Sequence, residues 1–252
     1  MLKPNKRIAT CQGRTDRQYV PNVFHLLNWN IYKANFKVPE AFQNTLKTFE
    51  KKMPFDFCCF QEAHFDEDEN MAFQLDGFAS YFAANLQLKH YAYGVLTASS
   101  IQSHEAYQVL SRKTEFLFKT HKTSLITRYH FADGTPLIIA NMHAINFKRT
   151  FFYDKEIQLL AQVLKDYPLD YPMIVTGDFN TWSRHRHKII RDFCRTLKLR
   201  LFPFQQAHLI KTFANHPLDL VMYRGLTPAK GYAYDQQNVS DHNPLFASFA
   251  RT

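Results

Sequence analysis

The sequence predicts one α/β domain over residues 21–252, preceded by a loose arm over 1–20. Three observations predict it. Short apolar runs of strand length mix with segments of helical period along the whole chain. No Pro/Gly/Ser-rich linker and no internal repeat interrupts them. The 252 residues are 46% hydrophobic and 15% aromatic with only 7 Gly, enough for one large, well-filled core.

The elements follow in order. Residues 1–20 are polar and basic without periodicity, which predicts the arm; with no apolar stretch they do not read as a signal peptide. Residues 23–31 form an apolar run, a buried strand. Over 40–52, Ala41, Phe42, Leu46 and Phe49 recur at helical spacing. Residues 55–61 are a second buried strand, in which Cys58 and Cys59 should lie on opposite faces of a sheet. Segments 94–98 and 124–131 are strand-like. Asp133-Gly134 makes a turn, and 137–142 returns as the partner of 124–131. Over 152–164, Ile157, Leu160, Ala161 and Leu164 share a helical face. A short strand over 173–176, a helix over 188–199 and strands over 219–223 and 245–249 complete the chain.

The charge narrows the partner. There are 31 Lys+Arg against 22 Asp+Glu, a formal +9, which suits an anion: nucleic acid, nucleotide or acidic lipid. Cys11, Cys58, Cys59 and Cys194 contain no C-x-x-C pair, which argues against zinc and thioredoxin-type chemistry and fits a reduced, cytoplasmic chain. No apolar run approaches the ~20 residues that span a bilayer, so no transmembrane segment is expected.

Chemistry-bearing residues gather at strand ends. In Val175-Thr176-Gly177-Asp178-Phe179-Asn180 a buried strand ends in Gly, a carboxylate and an amide, at the edge where α/β folds bind ligands. Asp178 could orient or deprotonate a water while Asn180 donates to a phosphate oxygen; an Asx turn would use the same residues. Phe60-Gln61-Glu62 offers a carboxylate suited to magnesium. Asn28-Trp29-Asn30-Ile31 supplies Asn30, able to orient Glu62 or a metal-bound water. Ala140-Asn141-Met142-His143 ends in an imidazole able to donate to a phosphoryl oxygen. Ser240-Asp241-His242-Asn243-Pro244 sets a carboxylate beside an imidazole, and Asp219 is the natural partner for His242, fixing its tautomer and favouring its protonated form. Taken singly, most of these read as turn or structural residues; their joint presence and order carry the reading.

That set resembles the endonuclease/exonuclease/phosphatase superfamily, the DNase I-like group. The resemblance runs over residues 24–249. Trp29-Asn30-Ile31-Tyr32-Lys33, Gln61-Glu62-Ala63, the segment from His143 to Phe147, the segment from Gly177 to Arg184, Tyr223-Arg224-Gly225-Leu226 and the segment from Ser240 to Leu245 are similar to the bacterial YafD (UPF0294) branch. The resemblance implies a four-layer α/β sandwich of two packed mixed sheets flanked by helices. It implies Mg2+, with Mn2+ the other candidate, at Glu62, with Asn30 and Asp241 beside it. Asp178 would activate water, Asn180 and His143 would contact the phosphate, and His242 backed by Asp219 would stabilise phosphoryl charge or act as acid or base. DNase I-like enzymes also set a carboxylate behind the residue matching His143, and none is identifiable here. Lys148, Arg149, Arg184 and Arg186, in basic segments just after two of the motifs, are candidate substrate contacts. The expected activity is a Mg-dependent phosphodiesterase, foremost a nuclease. A lipid or inositol-phosphate phosphoesterase and an inactive anion-binding scaffold are the alternatives.

Overall fold

A computed structural model describes residues 9–66, 75–87, 90–110, 122–146, 149–236 and 238–252. The chain runs through β1 (Ala9–Gln12), β2 (Val23–Asn30), α1 (Ala34–Lys37), α2 (Pro39–Lys52), β3 (Phe57–Asp66), β4 (Ala79–Gln87), β5 (Tyr91–Ser99) and β6 (Glu105–Leu110). It continues through β7 (Thr123–His130), β8 (Pro136–His143), α3 (Thr150–Leu164), β9 (Met173–Asp178), α4 (Arg184–Leu197) and β10 (Arg200–Leu201). A small hairpin, β11 (Thr212–Phe213) and β12 (His216–Pro217), precedes β13 (Asp219–Arg224), β14 (Leu226–Ala233) and β15 (Leu245–Arg251).

Two mixed sheets result, ordered β1-β4-β5-β3-β2-β15-β14 and β10-β13-β9-β8-β7-β6. Each holds one parallel pair at its centre, β2 with β3 and β8 with β9, and α2 and α3 make the crossovers. Alternation along the strands decides the layers. Leu26, Cys59, Ile139, Ile174 and Val221 fill the space between the sheets. Their neighbours Leu27 and Cys58 face α2 on one outside, and Ile138 and Val175 face α3 and α4 on the other. The two cysteines thus lie on opposite faces of one sheet, and the architecture is the expected four-layer sandwich.

The boundaries moved for identifiable reasons. α4 begins at Arg184, four residues before the predicted start, because Ser183 caps it by accepting from the Arg186 amide at 3.3 Å. β4 and β14 went unpredicted: β4 is rich in Ala, and β14 carries Pro228 and Gly231, tolerated because it is an edge strand. Within residues 1–20, order begins at Ala9 among the described residues. Ala9–Gln12 pairs with β4, and Arg17 bonds Asp56 at 2.9 Å. Among the described residues no helix is long and apolar enough to cross a membrane.

Candidate active site

The inward-facing positions turn polar as the strands approach one end of the cleft between the sheets. Along β2 they run Leu26, Asn28, Asn30; along β8, Ile139, Asn141, His143; along β9, Ile174, Thr176, Asp178. Below the site a buried amide network ties the sheets together. Gln61 donates to Asn28 at 3.0 Å and to Asn141 at 2.8 Å, and Asn141 donates to the Leu96 carbonyl at 2.9 Å. Such a network sets the height of one sheet against the other.

Above it, strand register aligns three side chains: His143 stands opposite Asp178, and Asp178 opposite Asp219. Asp178 Oδ1 accepts from the Asn180 amide and Oδ2 from Asn30 Nδ2, both at 3.0 Å. Asn30, whose strand partner Gln61 precedes Glu62, thus holds Asp178 across the cleft. Asp219 Oδ2 lies 2.8 Å from His242 Nδ1, the pairing expected from the sequence. Asn180, at a left-handed φ of 49°, donates to the Ala144 carbonyl at 3.1 Å. Glu62 follows the inward Gln61 and by alternation would face out; a bulge and a left-handed φ of 54° redirect it. Its Oε1 comes to 3.9 Å from His143 Nε2, which is 3.6 Å from Asp178.

The electrostatics separate the two histidines. Burial would lower His242, yet the Asp219 carboxylate outweighs it and raises the imidazole to about 10. Burial, with the Lys122 ammonium, carries His143 down to about 4 against the pull of Asp178 and Glu62. At neutral pH His143 is therefore uncharged, and its approaches to the carboxylates are not ion pairs. Burial would raise Glu62, but His143, cationic below about pH 4, and the Lys122 and Lys33 ammoniums together bring it down to about 2. Burial and then the Asp219 charge push Asp178 up.

Two members of the site were missed in the sequence. Lys122, buried, sets its Nζ 3.1 Å from His143 Nε2, where a carboxylate was sought. Counting back across the hairpin from His143 lands on Thr123, one residue away. Lys33 bonds Glu62 Oε2 at 3.2 Å.

Other expected residues stand elsewhere. Asp241 is exposed and paired with Lys211 at 3.4 Å, outside the buried group. Arg149 and Arg184 are exposed at the starts of α3 and α4. Lys148 lies outside the described residues. Arg186 is corrected: it is fully buried, not a surface contact. Its guanidinium lies 4.2 Å from the ring of Tyr153 and 4.3 Å from that of Trp182, and it donates to the carbonyls of Ile145 and Asn180 at 2.8 and 2.9 Å. Its helical spacing turns it inward beneath the Asn180 turn, which it braces.

The model of the Endonuclease/Exonuclease/phosphatase family matches residues 27–242. A UPF0294 protein of Vibrio parahaemolyticus is 32% identical over 227 residues, covering 89% of this chain and 77% of its own. Among solved structures, the human Nocturnin catalytic domain with bound sulfate superposes with a TM-score of 0.69 at 19% identity, covering 93% of this chain and 96% of that one. An endonuclease/exonuclease/phosphatase from Beutenbergia cavernae gives 0.68 at 12% identity, over 91% of this chain and 72% of its own.

Proposed function

Because the chain belongs to the endonuclease/exonuclease/phosphatase family, we propose that it is a Mg2+-dependent phosphodiesterase, and specifically a nuclease. One observation carries the reading. Asp178 is fixed from both sheets, by Asn30 and by the Asn180 amide, beside the Asp219–His242 pair.

The donor chemistry fits a hard divalent cation. Glu62 is ionised and its side chain is 24% exposed, and Asp219 Oδ1 is buried without a hydrogen-bond partner. Glu62 would hold the cation with the Asn30 amide oxygen near it, while Asp241, exposed and paired with Lys211, stands apart. Bound there, Mg2+ or Mn2+ supplies Lewis acidity toward the phosphate oxygens. Asp178, its carboxyl raised, suits the acceptance of a proton from the attacking water. Asn180 and neutral His143 donate hydrogen bonds to non-bridging oxygens. Cationic His242, oriented by Asp219, directs its second N–H at the charge developing on the phosphoryl group.

The test is a panel of DNA, RNA, phosphoinositides and sphingomyelin, with Mg2+ and with EDTA. EDTA-sensitive cleavage of nucleic acid is expected. Asp178→Ala and His242→Ala should each lose on the order of 100-fold or more in rate while remaining folded. Near-normal turnover in either variant refutes the assignment, and preferential hydrolysis of a lipid moves the substrate class.

A further inference from the structure

Beside Glu62, the turn after β2, α1 and the ends of β3 and β5 present rings at the surface. Tyr32 is 46% exposed and Phe36 57%. They are not scattered, and contiguity is what gives exposed apolar surface meaning. Phe36 stacks on His64 with centroids 4.2 Å apart and planes at 24°. His64 meets Tyr93 at 5.2 Å and Tyr91 at 5.6 Å, and those two tyrosines meet edge-on at 5.7 Å.

Ammonium groups lie among the rings. Lys37 Nζ is 3.5 Å from the centroid of Tyr32, and Lys33 Nζ is 5.1 Å from Tyr32 and 5.6 Å from Tyr93. The same Lys33 ammonium bonds Glu62, so the ring surface begins where the carboxylates of the site end. Tyr32 and Lys33 are held at left-handed φ values of 47° and 65°, a costly conformation for two bulky residues in succession. Rings flanked by cations are what successive bases and phosphates of an unpaired strand require. A base inside a duplex has no free face to offer. A surface that dips into acyl chains would need a contiguous apolar face, whereas the rings here are mostly tyrosines interleaved with lysines.

Resting on the phosphodiesterase reading, we propose that this cluster is a base-stacking subsite. It seats an unpaired base next to the scissile phosphate of a single-stranded nucleic acid, with Tyr32 and Phe36 as its outer platforms and Lys37 facing the backbone. Neither charge patterning nor the basic segments after the site motifs pointed here.

The experiment measures binding, not turnover, so that the two readings can fail separately. The full chain, in EDTA, is titrated with a short single-stranded oligonucleotide carrying 2-aminopurine, whose fluorescence reports stacking. Tyr32→Ala and Phe36→Ala should each weaken binding about tenfold. Tyr32→Phe, which keeps the ring, should bind like the parent, and the matching duplex should compete poorly. Melting curves establish that the variants are folded. Alanine variants that bind as tightly as the parent overturn the proposal. So does a duplex that competes equally, or adsorption to phosphatidylserine vesicles that depends on these rings while oligonucleotide binding does not. If no phosphodiester is turned over yet ring-dependent binding persists, the proposed activity falls and the subsite stands.

Discussion

His143 and His242 flank Asp178 and are equally buried, which lowers both; Lys122 lowers His143 further, while the Asp219 carboxylate carries His242 the other way. Environments that split like groups in this way assign them different tasks. In metal-free protein the His143 ring should stay neutral down to about pH 4. Lys122→Ala should move its titration, followed by imidazole NMR, up toward the ordinary range near 6.5; no movement would remove Lys122 as a cause. The sign for stability follows. A histidine depressed in the fold contributes fully above about 6.5 and loses that contribution as pH falls toward 4. His242 runs the other way, its contribution present below about 6.5 and lost as pH rises through 10.

At the scale of elements, β9 shows how backbone and site are linked. Gly177 sits at φ 143°, and a Cβ there would overlap the carbonyl of Met142 in β8. Only glycine lets the two strands approach closely enough to bring His143 opposite Asp178. Gly177→Ala should cost about 3 kcal/mol in denaturant unfolding; a loss under about 1 kcal/mol would mean that the strands separate easily. Much of this was legible. Apolar runs ending in Asn30, His143 and Asp178 located three of the strand ends, and the Asp219–His242 pair followed from chemistry alone. Glu62 was found only as a residue type after a strand, because a bulge breaks the alternation that would have oriented it. Arg186 misled because a basic run reads as surface, whereas the helical phase of α4 turns this one position inward between Tyr153 and Trp182.

Over the whole molecule, less could be read. Nothing in alternation says which strands share a sheet. β1, β4 and β14 escaped because weak strand formers are held there by pairing, β4 with β5, β14 with β15, and β1 with the distant β4. The formal charge of +9 named a partner class but not its docking face, since single lysines such as Lys33 and Lys37 gain meaning only when folding sets rings beside them.

The amide network of Gln61, Asn28 and Asn141 has one more consequence. Each sheet carries only part of the candidate site: Asn30 and Glu62 come from one, His143, Asp178 and Asp219 from the other. Sheets slipped toward the apolar end of the cleft would set these amides against Leu26 and Ile139 and break the bonds between them, which disfavours that docking. Under the proposed function, turnover then becomes a gauge of folding. Denaturation followed by turnover and by tryptophan fluorescence should trace one superimposable curve. Activity that vanished well before the fluorescence change would mean that the sheets part company while each remains intact.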